Sequence, residues 1–142
     1  MSAVTLKEWL AEHPPPDTAF KQTLTLVAER VRAGEDLLFA IREFLDEFGL
    51  LPRPDLRERA IGARPMATGD PRADAYLGAL AEHLALAEGI DRPRWTIDPD
   101  RFLDRFWFVP ATRAFWPLAI VESPAAFRRR GIFISEGALQ RV

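Results

Sequence analysis

Cysteine is absent from this chain of 142 residues, which removes disulfides, thiolate metal sites and cysteine nucleophiles together. Histidine occurs only as His13 and His83, without HxxxH or HExxH spacing, so metal sites of the common kinds are not expected. The 8 glycines stand singly, and neither GxGxxG nor GxxxxGK[ST] occurs; no glycine-rich loop is present to cradle a phosphate. There is no GxSxG elbow to raise a serine nucleophile, and Ser123 and Ser135 both stand where helix caps are needed. The acidic pairs Asp46/Glu47 and Asp98/Asp100 suit capping and helix surface, and the neighbours Glu82 and His83 read as a solvated face. No catalytic residue, metal or cofactor is expected. Long apolar runs are missing too: the segment 114–121 is broken by Pro117 and falls far short of the roughly 20 residues of a membrane span. Without a basic start and apolar run of signal-peptide type, the expected location is the cytoplasm.

What is present is ordinary in amount and unusual in placement. Hydrophobic residues make up 48% and charged residues 28% of the chain, a composition that folds. A chain of this length suits one domain, or one domain with a helical arm. Arginine outnumbers lysine 17 to 2, an excess that the codon usage of a GC-rich genome produces by itself. Residues 1–62 hold 8 basic and 11 acidic side chains, residues 92–142 hold 9 and 5, so the formal charge moves from −3 to +4 along the chain. Of 15 aromatic residues, nine lie between Trp95 and Phe133.

Apolar spacing is mostly helical, which predicts a mainly α fold with a helical N-terminal arm and a short strand-like C-terminal segment. Thr5 and Glu8 have capping-box spacing, with Val4 and Trp9 placed as a hydrophobic staple. The first helix should run to about His13, where Pro14, Pro15 and Pro16 stop it, and Asp17 is placed to cap the next. Phe20, Leu24, Val27, Val31, Gly34, Leu38, Ile41, Leu45 and Phe48 then keep one phase. This predicts either one long helix through Gly34 or two helices meeting there in line, ended by Gly49 at the C′ position. The narrow stripe suits the chain's own core or a self-associating seam over 20–48. A short helix is expected over 55–61, and 62–69 is the natural boundary between an N-terminal region, 1–61, and a C-terminal one, 66–142, if these are not one continuous domain. Asp70-Pro71 opens a helix with one apolar face, closed by Gly89. Beyond it, Asp98-Pro99 should start a helix carrying Phe102, Leu103, Phe106 and Trp107; 113–121 fits helix and strand equally; Ser123-Pro124 caps a helix to Arg130; and 132–134 reads as a strand.

Two groups are the candidate contact residues. Arg128, Arg129 and Arg130 sit beside Phe127 and fan around a short helix, where they can grip phosphates or acidic partner groups, or simply suit the helix C-terminus. Trp107 and Trp116 lead an aromatic set whose composition is that of interface hot spots, or of a packed core.

The strings WTIDPDRFLDRFWFV and SPAAFRRRGIFISEGALQRV, with TGDPRADAYLGALAEHLA before them, resemble a bacterial domain of actinobacterial type that sometimes follows a helix-turn-helix. The resemblance covers about residues 66–142 and brings no catalytic residues with it. It implies a place in toxin-antitoxin-like gene pairs, as the regulatory or neutralising member beside a nucleotidyltransferase-type protein. This chain has no recognisable helix-turn-helix, because 18–48 shows no tight turn between two short helices. The expected function is thus a non-enzymatic, antitoxin-like accessory subunit that contacts a cognate protein through Arg128, Arg129, Arg130, Trp107, Trp116 and Phe127. The alternatives are a nucleic-acid-binding regulator using the same arginines, against which a pI near 5.7 counts, and a homo-oligomeric helical scaffold.

Overall fold

The computed structural model describes residues 4–12 and 22–139; the expectations for His13, the proline run, Asp17 and Phe20 lie outside them. Helix α1, Leu6–Glu12, opens with the capping box: the Thr5 amide donates to Glu8 Oε2 at 3.0 Å and the Glu8 amide to Thr5 Oγ1 at 3.2 Å. Val4 and Trp9 both remain exposed.

The long apolar stripe does not form one helix, nor two in line. Helix α2, Leu24–Arg32, is capped by the Thr23 hydroxyl. Gly34 then takes φ of +105°, a conformation no α-helix contains, and the Asp36 carboxylate accepts from the Phe39 amide to start α3, Leu37–Phe48. Arg30 reaches Glu35 at 2.6 Å and Glu43 at 3.0 Å, so α3 folds back along α2. The phase is kept because both helices turn Leu24, Val27, Ile41, Leu45 and Phe48 into one buried cluster. Leu38, of the same stripe, stays exposed. Gly49 ends α3 in a right-handed conformation, φ −62°, without the left-handed turn expected of it. Helix α4 covers Pro54–Gly62.

Helix α5, Pro71–Glu88, begins and ends as read: the Asp70 carboxylate accepts from the Arg72 amide and Gly89 takes φ of +67°. One apolar face was expected, yet Ala73, Ala75, Leu77, Ala79 and Ala81 are all buried along with Tyr76 and Leu80. A helix apolar all round is an interior helix, and α2, α4 and the C-terminal elements all pack on α5. The segment 62–69 is tied down by Thr68, whose amide and hydroxyl both bond Asp74, and a single hydrophobic cluster runs from Leu24 to Ile134 across it.

After α5 the chain turns through two 3₁₀ segments, Arg94–Ile97 and Pro99–Arg101. The helix expected to carry Phe102 to Trp107 is absent. Trp107–Phe108 form strand β1, which pairs in parallel with β2, Ile132–Phe133, in the register Trp107↔Ile132 and Phe108↔Phe133. The ambiguous 113–121 resolves as a 3₁₀ turn, Arg113–Phe115, leading into α6, Trp116–Glu122. Pro117 sits in the first turn of α6, where its missing donor is no loss. Helix α7, Ala125–Arg128, ends through Gly131 at φ +79°. Ser123 does not cap α7: its hydroxyl donates to the Ala119 carbonyl and accepts from the Ile134 amide, stitching α6 to β2. The fold is mainly α with this one small sheet among the described residues, and none of their helices is long and apolar enough to cross a membrane.

Candidate interaction surface

The middle of α5 carries Gly78, and two buried arginines meet over it. A Cβ at Gly78 would lie 2.9 Å from Arg101 Cβ and 3.4 Å from Arg130 Nε, so only glycine leaves room for both. Arg101 donates to the Asp74 and Pro65 carbonyls and stacks on Trp95 at 4.9 Å. Arg130, 1% exposed, donates to the Ala126 and Thr96 carbonyls and to Glu82, and stacks on Phe102 at 4.6 Å. Burial lowers the pKa of both guanidinium groups, in Arg130 against the opposing pull of Glu82; both stay charged at neutral pH. Glu82 is therefore a hub instead of a solvated carboxylate. Besides Arg130 it holds Arg92 and Arg129, each at 2.9 Å. Burial pushes the Glu82 carboxyl up, but hydrogen bonds from Arg130 and Arg92 and the adjoining positive charge hold it below its ordinary value. His83, half-buried, lies edge-on to Phe127 and is pushed down by burial.

The three adjacent arginines do fan around the chain, and each meets acceptors of its own fold. Arg130 points inward, Arg129 lies on Glu82 and Phe102, and Arg128 donates to the Ile120, Val121 and Ser123 carbonyls at the end of α6. Phe127 is fully buried against Tyr76. Phe127 and Arg130 are consequently closed to a partner in this fold. The apolar sequence around them closes over α5, and a guanidinium with carbonyl and carboxylate partners is stable there.

The surface itself is built on β1 and α6. Successive strand residues face opposite ways, so Trp107 turns toward Tyr76 while Phe108 turns outward. Phe108 stacks on Phe133 at 4.9 Å and on Trp116 at 4.5 Å, and Phe106 lies edge-on to Phe133 at 5.5 Å. Arg113 covers the free face of Trp116 at 5.3 Å, and the Trp116 indole N–H donates to the Pro110 carbonyl. This ladder of four rings continues into α6, of which only Ala119 is buried. Phe106 (74%), Phe115, Leu118, Ile120 and Val121 (76%) are exposed beside it, a concentration of large apolar side chains that marks contact sites. Arg113 and Arg128 flank them.

Behind Trp107 lies a different surface. A cavity of about 580 Å³ opens between the α2–α3 turn and the start of α5. Val31, Leu37, Leu38 and Trp107 line it together with Glu35, Asp36, Asp70 and Arg72, and Arg72 lies over the Trp107 ring at 5.4 Å. The turn of Ala33 to Asp36 between α2 and α3 corrects the expectation that 18–48 lacks a tight turn between short helices. The second helix, however, carries Glu43, Asp46 and Glu47 against Arg42, the wrong charge for a DNA groove.

The structure thus brings Trp116, Arg128 and the outer rings together, puts Trp107 on the opposite side of β1, and buries Phe127 and Arg130. Sequence reasoning missed Gly78, Arg101 and the hub role of Glu82. A glycine in the interior of a long helix is the one signal that pointed there. Among the described residues no group of three or more His, Asp and Glu side chains is arranged to hold a metal ion. Comparison with known protein families, characterised proteins and solved structures finds no match to this chain.

Proposed function

We propose that this chain is a non-enzymatic accessory subunit of antitoxin-like type, which binds a cognate protein through the ring ladder and α6. The single observation that carries the reading is the exposed row of Phe106, Phe115, Leu118, Ile120 and Val121 beside Trp116, edged by Arg113 and Arg128. Large apolar side chains with tryptophan and arginine are what protein interfaces concentrate. The resemblance of 66–142 to a domain found in toxin-antitoxin-like pairs makes a nucleotidyltransferase-type protein the partner to test first. The test is capture by the tagged chain from nuclease-treated and untreated host lysate, beside the double variant Phe115→Ser, Val121→Glu. A stoichiometric protein that survives nuclease and is lost with the double variant supports the reading. Capture that depends on nucleic acid, or that the double variant leaves intact, overturns it.

A further inference from the structure

The aromatic face and the acidic cavity lie on opposite sides of one strand. Phe108 opens onto the first and Trp107 onto the second. The first projects: α6 stands on the body through Ala119 alone among its buried residues, with Leu118 and Val121 exposed and Arg113 and Arg128 at its edges. The second is a concave opening lined by Val31, Leu37, Leu38 and Trp107 together with Glu35, Asp36, Asp70 and Arg72. The two are opposite in the sign of their charge: Arg113 and Arg128 edge the face, and Glu35, Asp36 and Asp70 outnumber Arg72 around the cavity. Because they face away from each other across β1, they cannot meet within one folded chain.

We propose that the chain associates head to tail with a second copy of itself, α6 and the ring ladder of one copy seating in the acidic cavity of the next. The proposal rests on the reading that the aromatic face is a contact surface, and adds a second, competing occupant for it. A contact between two different patches leaves one patch of each kind free at the ends, so the assembly grows without closing at a dimer. The charged rims make it weaken as ionic strength rises. A cognate protein on the ladder caps the growing end, and binding and self-association are then mutually exclusive.

Sedimentation of the purified chain from low micromolar to near-millimolar concentration tests this, with Val121→Glu on the face and Leu38→Arg on the cavity wall. Glu35→Lys at the exposed rim is a second cavity-side variant, and circular dichroism confirms that each variant folds. The expected result is an average mass that rises with concentration without a plateau, reverting to monomer in each variant alone. An equal mixture of Val121→Glu and Leu38→Arg should give a one-to-one dimer, since the first retains its cavity and the second its face. A wild-type chain that stays monomeric, a plateau at a closed dimer, cavity variants that associate as wild type, or a mixture that stays monomeric each overturns the proposal. Leu38→Arg leaves the face intact, so capture of a cognate protein by this variant separates failure of the self-association from failure of the accessory-subunit reading.

Discussion

The inner and outer halves of the C-terminal third use the same residue types for opposite purposes. Inside, Arg101 lies on Trp95 and Arg130 on Phe102, with every carbonyl they reach belonging to the chain itself. Outside, Arg113 lies on Trp116, and Phe106, Phe115 and Val121 are exposed beside it. Arginine and aromatic composition therefore does not separate core from surface. What separates them is access to Gly78, the one place on α5 where two guanidinium stems can cross a buried helix.

The inner half should break most severely. Arg130→Ala removes the donors for Thr96, Ala126 and Glu82, and breaking a buried ion pair from one side costs about 3 to 5 kcal/mol; urea denaturation should show a loss of this size. Arg130→Lys should remain far below wild type, because one ammonium cannot reproduce the guanidinium fork. Gly78→Ala comes next and reverses the usual sign. In an ordinary helix interior it would stabilise by about 1 kcal/mol, but here the new Cβ meets Arg101 Cβ at 2.9 Å, and overpacking of this kind costs about 1 to 3 kcal/mol. A Gly78→Ala chain that melts higher than wild type would show that the arginines are loosely held.

The ion hub and its histidine sharpen the comparison through pH. The folded state holds Glu82 below its ordinary value, so its contribution is complete above the unfolded carboxylate range and is lost as pH falls through the folded value. His83 is lowered by burial, so the folded state resists its protonation, and stability also falls as pH drops below the ordinary 6.5. Stability should decline in two stages on acidification, the upper stage missing in His83→Phe and the lower reduced in Glu82→Gln. Denaturation midpoints measured from pH 8 to pH 3, about the span over which these groups titrate, distinguish the stages. On the outer half, Val121→Glu should change stability by no more than about 0.5 kcal/mol while abolishing partner capture. A large stability loss there would place α6 in the core.

Much of the fold was legible because its signals are local. The Thr5–Glu8 box, the Asp70-Pro71 start and the Gly89 stop lie within a turn or two of the residues they govern. The α2–α3 turn was misread because an unbroken apolar phase is equally consistent with a long helix and with two helices folded onto one core; the left-handed Gly34 decides between them. The aromatic segment was misread for another reason. Trp107–Phe108 become a strand only by pairing with Ile132–Phe133, and nothing near 107 announces that partner. Of the six candidate contact residues, Phe127 and Arg130 proved internal, which adjacency in sequence to Arg128 and Arg129 concealed.

By itself the sequence determined the helical class, the bounds of α5, the Thr5–Glu8 box and the charge gradient, since hydrogen bonding and apolar periodicity over a few residues settle these. Only the tertiary structure decided which arginines are enclosed, that Glu82 gathers three of them, and that Trp107 and Phe108 open onto different surfaces. Those outcomes depend on contacts between segments distant in the chain, where burial and pairing override what each residue prefers alone.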